Sequence, residues 1–97
     1  MSMYDIGFGV CQELRIALRV FVEEFEKVFL YVSSWGEDYF EITFKSRGDL
    51  DGVVINCESL AEFLEDYSEV YDVSLKKDDL TGFHELPVRV CFSVGGG

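Results

Sequence analysis

Residues 59–72, SLAEFLEDYSEVYD, constrain this chain more than any other stretch. On a helical wheel Leu60, Phe63, Leu64, Tyr67, Val70 and Tyr71 fall on one side. Glu62, Glu65, Asp66, Glu69 and Asp72 fall on the other. The pattern predicts an amphipathic helix, so the rest of the chain must supply an apolar surface to receive it. Ser59 is the expected N-cap, with Glu62 at N3 completing a capping box. No Lys or Arg occurs between Arg47 and Lys76, so the polar side has no cation of its own. Glu62 with Asp66 and Glu65 with Glu69 are like charges one turn apart, each pair costing about 0.2–0.5 kcal/mol. Glu69 and Asp72 also stand at the predicted C-terminus, where the helix dipole disfavours anions. A small, repeated penalty of this kind points to a positively charged counterpart.

The surface to receive that helix is legible on both sides of it. Val10, Leu14, Ala17, Leu18, Phe21, Phe25 and Val28 share a helical stripe, opposite Gln12, Arg15, Arg19, Glu23 and Glu26. A strand reading competes, because Leu14, Ile16, Leu18, Val20 and Val22 also alternate. Helix is preferred, since the helical period continues through residues 23–27, where alternation stops. Arg19 and Glu23 are then expected to pair at i,i+4. Residues 27–35 read as a strand, 36–38 as a turn and 39–46 as a second strand, a hairpin signature. Residues 53–56 form a short third strand after the turn RGDLDG. Residues 73–76 are a fourth and 88–94 a fifth, with a polar, turn-like stretch at 77–85 between them. Residues 1–8 read as a loose lead-in because of Gly7 and Gly9, and residues 95–97 as a flexible end.

The expected fold is therefore α+β in the order α-β-β-β-α-β-β. It is one domain over residues 1–97, with an antiparallel sheet of about five strands and two amphipathic helices packed on one face. The other sheet face would show Phe29, Tyr31, Tyr39, Thr43 and Cys91, too apolar to stay fully wet. It is expected to serve as a homodimer or partner surface. The opening α-β-β-β-α resembles the double-stranded-RNA-binding domains in element order. The RNA-binding role does not carry over, because Glu58 and Glu62 stand where that family's second helix begins with basic residues.

Charge narrows the functional classes. The chain has 97 residues and a formal net charge of −11, with 48% hydrophobic and 15% aromatic residues. It can build a core, unlike a disordered acidic tail. Nucleic acids and anionic membranes are excluded as direct partners, since both are bound through Lys and Arg. No apolar run approaches the roughly 20 residues of a membrane span, and the N-terminus lacks a signal-peptide pattern. Cys11, Cys57 and Cys91 are odd in number and show no CxxC spacing, so free thiols in a reducing cytoplasm are expected, a host cytoplasm if the source is a virus.

Catalytic and ligand-binding patterns are weak. His84 is the single histidine and falls in a predicted turn, with no GxSxG elbow in the chain. Asp49 and Asp51 lack the remaining ligand spacing of a calcium loop and read as turn aspartates. Gly7-x-Gly9 has no third glycine and no phosphate-binding lysine. Trp35 and Tyr39, at the hairpin, could anchor a partner or pair across the turn.

The reading that follows is a non-enzymatic binding protein without cofactor or metal. Asp49, Asp51, Glu58, Glu62, Glu65, Asp66, Glu69 and Asp72 would dock on a basic surface of a partner protein. Nucleic-acid enzymes present such surfaces, and carboxylates along a helix can stand in for phosphates. Inhibitors made by phages, viruses and plasmids, and immunity proteins against nuclease toxins, work in this way. The alternative is a homodimeric structural or adaptor domain that uses the open sheet face, its acidity serving solubility; Trp35, Tyr39, Tyr31 and Phe29 are the aromatic candidates for a partner anchor or for that dimer face.

Overall fold

The computed structural model describes the backbone of residues 2–48, 51–71, 73–76 and 81–94, and the side chains of these residues apart from 21, 66–71, 73–76 and 94. Helix α1 spans Met3–Phe21, and a 3-10 turn at Phe25–Lys27 leads into β1, Val28–Trp35. Strand β2 is Tyr39–Ser46, β3 is Val54–Asn56 and helix α2 is Cys57–Tyr71. Strands β4, Val73–Lys76, β5, Phe83–Glu85, and β6, Val88–Val94, complete the chain.

The α+β class and the antiparallel pairing agree with expectation, but a single sheet of about five strands does not form. One sheet has four strands in the order β1-β2-β6-β4, and β3 pairs with β5 in a separate two-stranded ladder. Two further bonds extend that ladder, from the Leu86 N–H to the Val53 carbonyl and from the Cys57 N–H to the Gly82 carbonyl. The stretch around Gly82 was expected to be a turn; it carries β5 instead, with His84 opposite Ile55.

Residues 1–8 were expected to be a loose lead-in, and the structure makes most of them helix. Ser2 and Asp5 form a reciprocal capping box, which satisfies N–H groups that a bare helix start leaves open. Gly7 is a close-approach residue, not a breaker. A Cβ there would lie 2.9 Å from Phe40 Cδ2 and 3.0 Å from its Cγ, so α1 rests directly on the β2 ring. The helix stops at Phe21, and Val22 is extended, so the helical period does not continue through residues 23–27. The expected Arg19–Glu23 helix pair is accordingly replaced: the Arg19 guanidinium lies over the Phe25 ring at 5.5 Å.

One core joins both helices to one face of the larger sheet. Val10, Leu14 and Leu18 of α1 and Leu60 and Leu64 of α2 pack with Leu30, Phe40, Ile42, Phe44, Val90 and Phe92. Full burial of each such side chain contributes about 1.5–3 kcal/mol. Strand periodicity of two puts Phe40, Ile42 and Phe44 on this face and Tyr39, Glu41 and Thr43 on the other.

Candidate functional site

Helix α2 is held by its buried side and presents its acids on the other. Cys57, Leu60 and Leu64 are fully buried, whereas Glu58, Glu62 and Glu65 are exposed. The helix is capped three residues earlier than expected. Asn56, not Ser59, is the cap: its Oδ1 accepts from the Glu58 N–H at 3.1 Å and the Ser59 N–H at 3.2 Å. The Cys57 N–H is already occupied by Gly82, so strand β5 and Asn56 together satisfy the first turn. Asp51 is exposed just before the Gly52 bend, whose φ is +72° and whose N–H donates to Glu85 Oε1 at 3.2 Å. Asp49, together with the side chains of Asp66, Glu69 and Asp72, lies outside the described residues, as do those of Tyr67, Val70 and Tyr71. The structure thus brings Glu58, Glu62 and Glu65 onto one helix face.

An apolar strip adjoins that face, and sequence reasoning did not single it out. Ile16 and Val20, one turn apart on α1, are 75% and 65% exposed. Val20, Ser59, Glu62 and Phe63 line one groove of about 230 Å³ between the helices. The signal was in the sequence: Ile16 and Val20 fall off the buried stripe yet share a face at i,i+4.

Of the four aromatics expected as partner anchors or as a dimer face, Trp35 lies on the helix side of the sheet and Phe29, Tyr31 and Tyr39 on the open side. Ser33 is a β-bulge, so pairing moves from Val32 opposite Ile42 to Ser34 opposite Glu41. Trp35 then faces Phe40, on the helix side, and its ring packs on Tyr4 of α1 at 4.7 Å. Tyr39 lies on the opposite side against Gly36, so Trp35 and Tyr39 make no cross-strand pair. Phe29 and Tyr31 are on the open side as expected, ring-stacked at 5.6 Å. Between them and β6, Thr43 is buried and donates to Ser33 Oγ at 2.8 Å, which in turn donates to Glu41 Oε1 at 2.9 Å.

Other titratable groups have ordinary structural surroundings. His84 Nε2 sits 2.9 Å from the Thr81 carbonyl on an exposed strand. Cys11 and Cys57 are buried free thiols, and burial pushes both above the ordinary thiol value, with Arg15 partly opposing this at Cys11. Among the described residues no group of His, Cys, Asp and Glu has metal-binding geometry, and no buried polar side-chain atom lacks a partner. No helix among them is long and apolar enough to cross a membrane. Comparison of the chain with known families, with curated proteins and with solved structures finds no match.

Proposed function

We propose that this protein is a non-enzymatic binding protein whose acidic α2 face docks on a basic surface of a partner protein. The observation that carries the reading is the groove lined by Val20, Ser59, Glu62 and Phe63. It sets the apolar side chains of Val20 and Phe63 beside Glu62, whose helix face also carries Glu58 and Glu65. An apolar centre with a charged rim is the usual anatomy of a protein interface, in which the centre holds and the rim steers. The last turn of α2 has no basic residue, which keeps the field of this face negative. Carboxylates one turn apart along a helix suit a surface that otherwise receives phosphates, so a nucleic-acid enzyme is the partner class that fits best.

The test uses the immobilised protein and its Glu58→Gln/Glu62→Gln variant, which removes charge while keeping helix-forming side chains. A specific basic protein should be retained at low salt, released as salt rises, and bound more slowly by the variant. Retention that ignores salt, or equal association rates for parent and variant, overturns the reading. Equal binding would favour the open sheet face, where Phe29, Tyr31 and Tyr39 are each more than a third exposed, and with it a homodimer.

A further inference from the structure

We infer, building on that docking role of the acidic α2 face, that the partner contributes a basic amphipathic helix, which lies in the groove between α1 and α2. One apolar side chain of that helix sits between Val20 and Phe63, and its Lys or Arg side chains lie over Glu62 and Glu58. The groove holds about 230 Å³ and is lined by Val20, Ser59, Glu62 and Phe63. This is below the roughly 300–1,000 Å³ of small-molecule sites and suits a single side-chain anchor. Val20 is 65% exposed, Ile16 one turn before it is 75% exposed, and Phe63 is half-buried, so all three have surface left to cover.

Charge is sorted across α1. Val20 leans toward α2, whereas Arg15 and Arg19 fall on the opposite flank of the helix, toward β1. Arg15 donates to the Leu30 carbonyl of β1 at 2.8 Å, and the Arg19 guanidinium lies over the Phe25 ring. Lys27 is engaged by Glu24 at 2.9 Å. Lys45 stands opposite Phe29 and Arg89 opposite Thr43, both on the open side of the sheet, and Arg47 lies over Phe29. Among the described residues no cation therefore faces the groove, while Glu62 forms its wall and Glu58 stands one turn away on the same helix. A field of one sign selects a cationic occupant. A second copy of this chain, at a formal net charge of −11, is repelled from it.

A helix fits this relief better than an extended segment. Ile16 and Val20 stand about 6 Å apart along α1, the spacing of i and i+4 on any helix. An incoming helix lays a ridge of the same spacing between α1 and α2, with its own backbone bonds closed internally. An extended segment needs backbone partners, and the outer surfaces of α1 and α2 have none to give, because their N–H and C=O groups are used within each helix. The incoming helix seats one apolar side chain between Val20 and Phe63 and the next over Ile16. Its basic flank then runs along α2, where Glu58 and Glu62 are one turn apart.

The probes are two labelled peptides of about 18 residues, long enough to hold a helix, with the same content of Leu, Ala and Lys. One places its leucines on a single helical stripe; the other scrambles them. Each is titrated into the whole protein and followed by fluorescence anisotropy and by backbone amide NMR. The striped peptide should bind with micromolar affinity, at least about tenfold tighter than the scrambled one, and should shift Ile16, Val20, Ser59 and Glu62. Val20→Ser should weaken it about tenfold, and Ile16→Ser should act in the same direction. Both positions are exposed, and the unshifted remainder of each spectrum reports that the variant is folded. Added salt and Glu58→Gln/Glu62→Gln should weaken both peptides. Equal binding of the two peptides, each weakened by salt and by the Gln variant, overturns the helical occupant and leaves the acidic docking surface standing. Binding of the striped peptide that ignores salt and the Gln variant overturns the acidic surface and the basic helix together. Binding that Val20→Ser and Ile16→Ser leave unchanged, shifts confined to other surfaces, or no binding at hundreds of micromolar overturns the groove as the site.

Discussion

Replacing Gly7 with alanine puts two opposing effects in direct competition. In an isolated helix the change is favourable by about 0.8–1.0 kcal/mol. Here the new Cβ would meet Phe40 Cδ2 at 2.9 Å, Cγ at 3.0 Å and Cβ at 3.3 Å. Carbon atoms in good contact sit about 3.5–4.0 Å apart, so a shift of roughly 0.6–1 Å is required. The contacted atoms are at the base of the ring, not at a mobile tip. Phe40 is fully buried and stacked on Phe92 with centroids 4.7 Å apart, so the ring has nowhere to retreat. Overpacking of this kind costs about 1–3 kcal/mol. The clash wins, and Gly7→Ala should destabilise by about 1 kcal/mol net. For a domain of this size that lowers the melting temperature by about 4–8 °C. Urea denaturation followed by circular dichroism measures it. Measured against Phe40→Ala alone, the same substitution in a Phe40→Ala background should be neutral or stabilising, because the two nearest obstructing atoms, Cγ and Cδ2, are gone. A raised urea midpoint for Gly7→Ala alone would refute the close packing of α1 on β2.

Two further outcomes follow from the cap and the thiols. Asn56→Ala should cost about 1 kcal/mol, since it leaves two first-turn N–H groups without an acceptor; Ser59→Ala should stay within about 0.5 kcal/mol, and the reverse order of denaturation midpoints would put the cap back at Ser59. Burial raises the Cys11 and Cys57 thiols above 9.0, so the unfolded chain gives up these protons first as the pH rises. Their contribution to stability is therefore complete below 9.0 and is lost as the pH climbs through the folded values. Cys57→Ala should flatten that alkaline decline in chemical-denaturation midpoints, and an unchanged slope would exclude the thiol as its source.

Period and composition were enough to read the α+β class, the hairpin of β1 and β2, the span of β6 and the acidic outer face of α2. Each is a local property, because burial on one side imposes a spacing of 3.6 on a helix and 2 on a strand. Glu62 and Glu65 stand where the wheel predicts, since Leu60 and Leu64 leave them no other side, and Glu58 joins them because the helix starts earlier, at Cys57. Local chemistry misled where a residue serves a distant neighbour. Gly7 looks like a breaker until the Phe40 ring beneath it is known. Ser59 looks like a better cap than Asn56 until β5 delivers the Gly82 carbonyl to Cys57. The Ser33 bulge has no compositional mark, yet it turns Trp35 away from Tyr39 and toward Tyr4. Strand order is likewise a tertiary outcome: β6 lies between β2 and β4, and β3 leaves the main sheet to pair with β5.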